Sequence, residues 1–297
     1  MFEKMIKTQT AKQAKMLDDW LEKREKEYPF PSGVLLSENI DYYGDGKECH
    51  RVDVFKPENV DEKLPVIINI HGGGFLLGKK EANRHFCAEL CKKGFVVFCL
   101  EYPLVPDVDI FEVFRDLTIG INKAAELAES FGGDGKDIYL CGDSAGAYLC
   151  VYLASLQKSE AMRKAANVGQ IVPKIKALGL ISGMFYTTKF DQIGMFIPKM
   201  AYGKEWKKSE FFPYTNPENS EITENLPPCF LVTSTGDFLE KYSKNYVRAL
   251  DRGGVENVLV DFENKKYGHA YVAMRPELDE SVEAIADIAD FFKEHKS

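Results

Sequence analysis

A strand-like run, Ile138-Tyr139-Leu140-Cys141, meets an apolar helical stretch, Ala145 to Leu156, across Gly142-Asp143-Ser144-Ala145-Gly146, and so sharp a turn leaves few folds open to the chain. The central serine of a Gly-x-Ser-x-Gly elbow has strained backbone angles. The residues two before and two after it come too close to carry a β-carbon, which accounts for Gly142 and Gly146. Ser144 Oγ is then expected above the sheet, with the amide of Ala145 at the helix start facing any negative charge beside it. Upstream, His71-Gly72-Gly73-Gly74 directly follows the strand-like Val66-Ile67-Ile68-Asn69-Ile70. Three glycines alone read equally as a flexible turn. Together with the elbow they read as the other half of an oxyanion hole, with Gly73 and Gly74 as donors, Gly72 completing the loop and His71 propping it. Losing one such donor costs about 3 kcal/mol of transition-state stabilisation.

A serine needs a base, and the base needs an acceptor behind it. In elbow sites the chain order is Ser, then Asp or Glu, then His. Of the five histidines only His269 and His295 follow Ser144, and His295 sits in a charged tail, Lys293-Glu294-His295-Lys296-Ser297. His269 follows a strand-like Val258-Leu259-Val260-Asp261-Phe262 and a polar loop, where a base carried after the last strand belongs. Asp237 lies just past the carboxyl end of the strand-like Pro228–Thr233, the edge at which groups collect in parallel sheets. Its competitor Glu240 falls in the first turn of the next helix, where the dipole favours a carboxylate in any case. Asp143 is expected to brace the elbow by a hydrogen bond, and His50 and His85 read as structural.

These pieces resemble the hormone-sensitive-lipase-like branch of the α/β-hydrolase carboxylesterases. The matching stretches are His71-Gly72-Gly73-Gly74-Phe75, Gly142-Asp143-Ser144-Ala145-Gly146, Asp237-Phe238-Leu239 and Gly268-His269-Ala270-Tyr271. The resemblance implies an acetyl-esterase-like serine carboxylesterase acting on short acyl esters, acetyl to butyryl. Its nucleophile is Ser144, its base His269, its acid Asp237, and its oxyanion hole the amides of Gly73, Gly74 and Ala145; no metal or organic cofactor is implied. The chain departs from the family at Glu101-Tyr102-Pro103-Leu104-Val105-Pro106-Asp107, which lacks an arginine, at Ala147 in place of a further glycine, and at Phe238 in place of proline. An amidase or arylformamidase can use the same groups. A ligand-binding protein on this scaffold typically loses a triad member, and here all three are present.

A chain of 297 residues that is 45% hydrophobic can bury a large core, and a net charge of −8 with dispersed Lys and Arg gives no nucleic-acid surface. No run approaches the roughly 18 apolar residues of a membrane span. Met1-Phe2-Glu3-Lys4-Met5-Ile6-Lys7 lacks an apolar segment of signal-peptide type, and seven cysteines fit reduced thiols, so a cytoplasmic location is expected. Cys87 and Cys91, four apart, lack the second pair that zinc needs and read as core thiols.

Strands are expected at 49–55, 65–70, 95–101, 137–141, 176–181, 228–233 and 257–262. Helices are expected near 80–93, 109–129, 144–157, 240–253 and 277–294, the last with an apolar stripe of Val282, Ile285, Ala286, Ala289 and Phe292. This alternation predicts an α/β fold with a mostly parallel sheet covered on both faces and a helical cap. Residues 46–297 make the catalytic domain. Residues 1–45, with a helix stopped by Pro29 and Pro31, and an aromatic-rich insertion at 183–226 make the cap. Trp20 and Trp206 fall in these segments and read equally as the lining of an apolar pocket or as part of an aromatic minor core that holds the cap to the body. A small-molecule ester is the expected partner, and the family's association through edge strands or terminal helices leaves a homodimer open.

Overall fold

The computed structural model describes residues 2–60 and 62–296; Met1, Asp61 and Ser297 lie outside the described residues. Eight strands form one sheet: β1 (Val34–Asp41), β2 (Arg51–Pro57), β3 (Leu64–Ile70), β4 (Val96–Leu100), β5 (Gly133–Asp143), β6 (Lys174–Ile181), β7 (Cys229–Ser234) and β8 (Asn257–Phe262). Their order is β1-β2-β4-β3-β5-β6-β7-β8. From β4 to β8 every pairing is parallel, whereas β1 and β2 are antiparallel to their neighbours. The helices are α1 (Phe2–Glu27), α2 (Arg84–Lys92), α3 (Ile110–Ala128), α4 (Ala145–Lys158), α5 (Glu160–Ala166), α6 (Gln192–Ala201), α7 (Ser220–Thr223), α8 (Glu240–Arg252), α9 (Tyr271–Met274) and α10 (Asp279–Glu294).

The central strands are apolar along their length because both faces of the sheet are covered. Along β3, Val66, Ile68 and Ile70 join a core with the buried side chains of α3 and α4, while Ile67 points to a second core with α2 and α10. The cut between the cores follows the strand period of two. It leaves the carboxyl ends of β3, β5, β7 and β8 along one edge of the sheet, and the loops leaving those ends carry the candidate site.

Two expectations change. Residues 34–41, read as part of the segment 1–45, are the edge strand β1. Its alternation is broken by an irregularity between Ser37 and Ile40, with Asn39 at φ 57°, and this hides the strand from a period-two reading. On α10, Val282 is 48% exposed, and the buried face runs through Ala284, Ile285, Ile288, Ala289 and Phe292, phased by Phe292 stacking on Tyr139.

The insertion 183–226 holds α6, α7 and short 3-10 turns, tied to the elbow helix α4 by polar pins. Tyr148 and Tyr202 share a hydroxyl hydrogen bond of 2.5 Å, Thr187 adds a second to Tyr202 at 2.8 Å, and Tyr152 donates to the Tyr214 carbonyl at 2.6 Å. Helix α1 stops before Pro29 and is held near its end by Arg24. This guanidinium grips Glu277 with two hydrogen bonds, of 3.3 and 2.6 Å, and packs over the rings of Trp20 and Tyr28. The Arg24 side chain is 6% exposed, so Glu277→Ala strands a buried charge. The variant is expected to lose about 2 kcal/mol in urea unfolding, below a fully buried pair because Glu277 is partly solvated, and to expose α1 to limited proteolysis.

Candidate active site

Ser144 sits between β5 and α4 at φ 52° and ψ −112°, a left-handed backbone held on both sides. Its amide donates to the Ile181 carbonyl at 2.8 Å, and its carbonyl accepts from Met184 at 2.9 Å. The turn closes on β3: a β-carbon on Gly146 would lie 1.9 Å from the Ile70 carbonyl oxygen. Loops from β7 and β8 bring the partners together. His269 Nε2 lies 2.8 Å from Ser144 Oγ, and His269 Nδ1 lies 2.8 Å from Asp237 Oδ1. Asp237 fixes the tautomer with the proton on Nδ1, which leaves Nε2 to accept the serine proton.

Burial works against the charge on Asp237, but the His269 hydrogen bond and charge, the Leu239 amide at 2.8 Å and the Ser182 hydroxyl outweigh it and hold its carboxyl below the ordinary value. Glu240 is instead engaged by Lys244 on α8, at 2.6 Å.

The glycine loop faces this group. Gly73 has φ 126°, and a β-carbon there would meet the Leu77 carbonyl oxygen at 1.7 Å, so the loop closes only with glycine. Its carbonyl accepts from Leu76 and Leu77, while the amides of Gly73 and Gly74 take part in none of the loop's backbone hydrogen bonds among the described residues. Gly72 is not a donor to the site: its amide donates to Asp143 Oδ1 at 3.0 Å, and Asn83 Nδ2 donates to the same oxygen at 2.8 Å. Burial pushes the Asp143 carboxyl up, against the lowering effect of Asn83, the two histidines and that amide. Asp143 thus joins the elbow to the glycine loop.

His71 holds the loop's other side. Its Nδ1 lies 2.8 Å from the Gly72 carbonyl, its Nε2 2.7 Å from Glu101 Oε1, and its ring stacks on Tyr102 at 4.3 Å. Burial alone would lower this imidazole, but the Glu101 carboxylate and the Gly72 carbonyl outweigh burial and hold it up at about 9. Glu101 also accepts from the amides of Lys80 at 3.0 Å and Tyr102 at 3.1 Å.

An open cleft of about 760 Å³ lies over Ser144 and His269. Gln13 and Leu17 of α1, Ile193, Phe196 and Ile197 of α6, and Phe238 and Met274 line it with the glycine loop. Neither tryptophan does. Trp206 packs against Tyr202 and Phe212 of its own insertion, and Trp20 lies under Arg24 of its own helix. Among the described residues no group of three or more His, Cys, Asp or Glu is arranged to hold a metal ion, and no helix is long and apolar enough to cross a membrane. Cys87 and Cys91 are buried in α2, where burial raises both thiols. His50 lies between Asp45 and Asp116, and His85 Nε2 donates to the Tyr28 carbonyl at 2.9 Å; neither touches the cleft.

Two residues of this assembly, Asn83 and Ser182, and the pairing of Glu101 with His71 are not foreseen from the sequence. Ser182 follows β6 at φ 50°, fully buried; its Oγ accepts the Ala270 amide at 3.1 Å and its hydroxyl meets Asp237. Its position at a strand's carboxyl edge was the available signal.

The sequence profile of the alpha/beta hydrolase fold family matches residues 67–272. A probable isoprenylcysteine alpha-carbonyl methylesterase of Oryza sativa subsp. japonica is 26% identical over 275 residues, covering 88% of this chain and 65% of the relative. A kynurenine formamidase of Salmo salar is 29% identical over 147 residues, covering 48% of this chain and 44% of the relative. The chain thus spans less than two thirds of these relatives' length. Esterase B of Lactobacillus rhamnosis superposes with a TM-score of 0.86 at 20% identity over 99% of each chain, a likeness of fold.

Two outcomes follow from the geometry. The His71 imidazolium has a folded-state pKa above its unfolded value of about 6.5, so its contribution to stability is complete below that pH and is lost as pH rises through about 9. Urea midpoints are expected to fall over this window, and to fall less steeply in Glu101→Gln than in the parent. Ser182→Ala leaves the Ala270 amide and the Asp237 carboxylate each one partner short; it should cost about 1–3 kcal/mol in unfolding and slow the reaction of Ser144 with an organophosphonate.

Proposed function

Because the chain belongs to the alpha/beta hydrolase fold family, we propose that it is a serine carboxylesterase that cleaves short acyl esters through an acyl-enzyme. The observation that carries this reading is the continuous hydrogen-bonded series from Asp237 through His269 to Ser144, with both links at 2.8 Å. His269 takes the proton of Ser144 as Oγ attacks the ester carbonyl, and Asp237 balances the imidazolium that forms. The oxyanion rests on the amides of Gly73, Gly74 and Ala145, fixed in place before substrate arrives. Collapse of the tetrahedral intermediate breaks the bond to the alkoxy oxygen, which takes the proton from His269 Nε2. Water, deprotonated by the same nitrogen, then releases the acid and restores Ser144.

In this reading α1 and the insertion 183–226 are a cap over the cleft, and Asp143 and His71 brace the loop without touching substrate. The partner is a small-molecule ester, and no cofactor takes part. Seven free cysteines, six of them buried, support a reducing, cytoplasmic setting. The name of the rice relative, a methylesterase, supports ester chemistry; that of the salmon relative, a formamidase, supports a second reading in which the same groups cleave an aryl formamide.

A p-nitrophenyl ester series from acetyl to dodecanoyl, run beside Ser144→Ala, tests the proposal. Rates are expected to peak at acetyl to butyryl, and kcat to drop about 10⁴-fold or more in the variant. More than a trace of activity in purified Ser144→Ala would sink the nucleophile assignment, and faster cleavage of N-formyl anilides than of matched esters would favour the second reading.

A further inference from the structure

Phe238 is 73% exposed, although it lies between two buried residues, Asp237 and Leu239. Its backbone is fixed on both sides: Asp237 donates to the Ser234 carbonyl at 3.0 Å, Leu239 donates to Asp237 Oδ1 at 2.8 Å, and the Glu240 amide donates to the Asp237 carbonyl at 3.0 Å. The backbone that carries the ring therefore cannot shift without disturbing the acid. It lies 4.4 Å from the His269 ring, tilted by 43°, and forms a wall of the cleft that also contains Phe196 and Met274. The carboxylesterase branch that the chain resembles has a proline here, which offers no aromatic face.

The reaction fixes what stands beside this ring. His269 Nε2 must reach the departing oxygen to protonate it, so the alcohol half of the substrate lies against the histidine and whatever borders the histidine in the cleft. We propose that Phe238 determines leaving-group specificity, selecting esters of alcohols with a flat aromatic group that stacks on its exposed face. An exposed ring on a rigid turn loses little freedom on binding, and an aromatic pair adds to simple burial of apolar surface. The proposal rests on the ester-hydrolase reading and refines it on the alcohol side.

Ethyl acetate and 2-naphthylmethyl acetate test it, because both give the same acetyl-enzyme and both release a primary alkoxide. The ratio of their kcat/KM values then reads the alcohol contact alone. Relative to the parent, the ratio favouring the naphthylmethyl ester is expected to fall about tenfold in Phe238→Ala and to be kept in Phe238→Tyr, with active sites counted by phosphonate titration. An unchanged ratio in Phe238→Ala, including an equal loss on both esters, would overturn the proposal. If the parent cleaved neither ester and Ser144 failed to react with the phosphonate, the ester-hydrolase reading itself would fall.

Discussion

Two carboxylates on opposite sides of the glycine loop, Asp143 buried and Glu101 largely so, hold this site together. Asp143 takes the Gly72 amide and the Asn83 side chain, and Glu101 takes the His71 imidazolium and two amides. Between them the first two residues of the loop are held, Gly72 through its amide and His71 through its ring. A carboxylate buried at such a place costs several kcal/mol unless its lone pairs are filled. Here each carboxylate takes one group of the loop, Gly72 or His71, together with groups from outside it, so the loop's order and the tolerance of the charge are linked. The Lys80 side chain extends the system to Asp53 at 2.9 Å, which ties the loop to β2 in the antiparallel part of the sheet.

The parts of the molecule that were readable from sequence are those whose constraint is local. Gly142 and Gly146 flank a serine at a strand-to-helix turn, and the Ile70 carbonyl that excludes their β-carbons belongs to the strand running into the glycine loop. Chain order narrowed the base to His269, and the strand's carboxyl edge pointed to Asp237. The parallel strands were legible as unbroken apolar runs because both faces are covered. Strand β1 was not, since it is an edge strand with one face toward solvent and an irregular register. Asn83 and Ser182 were missed for a different reason: each acts on a residue 55 or more positions away, through a hydrogen bond that leaves no periodic trace. The tryptophans illustrate the converse. An aromatic-rich insertion has to pack on itself before it can hold a substrate, and Trp206, against Tyr202 and Phe212, serves the first need.

The two segments that line the cleft from above, α1 and the insertion 183–226, are attached unequally. The insertion is fixed to α4 through Tyr148, Tyr152 and their partners, buried hydrogen bonds whose loss would leave hydroxyls unpaired in the core. Any displacement there would be felt directly by the helix that carries Ser144 at its start. Rigidity of the insertion and accuracy of the nucleophile are therefore linked through the same tyrosines.

The attachment of α1 has a mechanical consequence. Its firm hold is at Arg24, while the residues that face the cleft, Gln13 and Leu17, lie about two to three turns before it, and the contact between, Lys79 with Asp18, is a solvated ion pair of little strength. At a rise of about 1.5 Å per residue, Gln13 stands about 16 Å from that hold. A rotation of about 10° about that hold moves Gln13 by about 3 Å, nearly the thickness of an aromatic ring, so the distance of α1 from the cleft floor is set by the Arg24 root together with the groups that meet the helix beyond it.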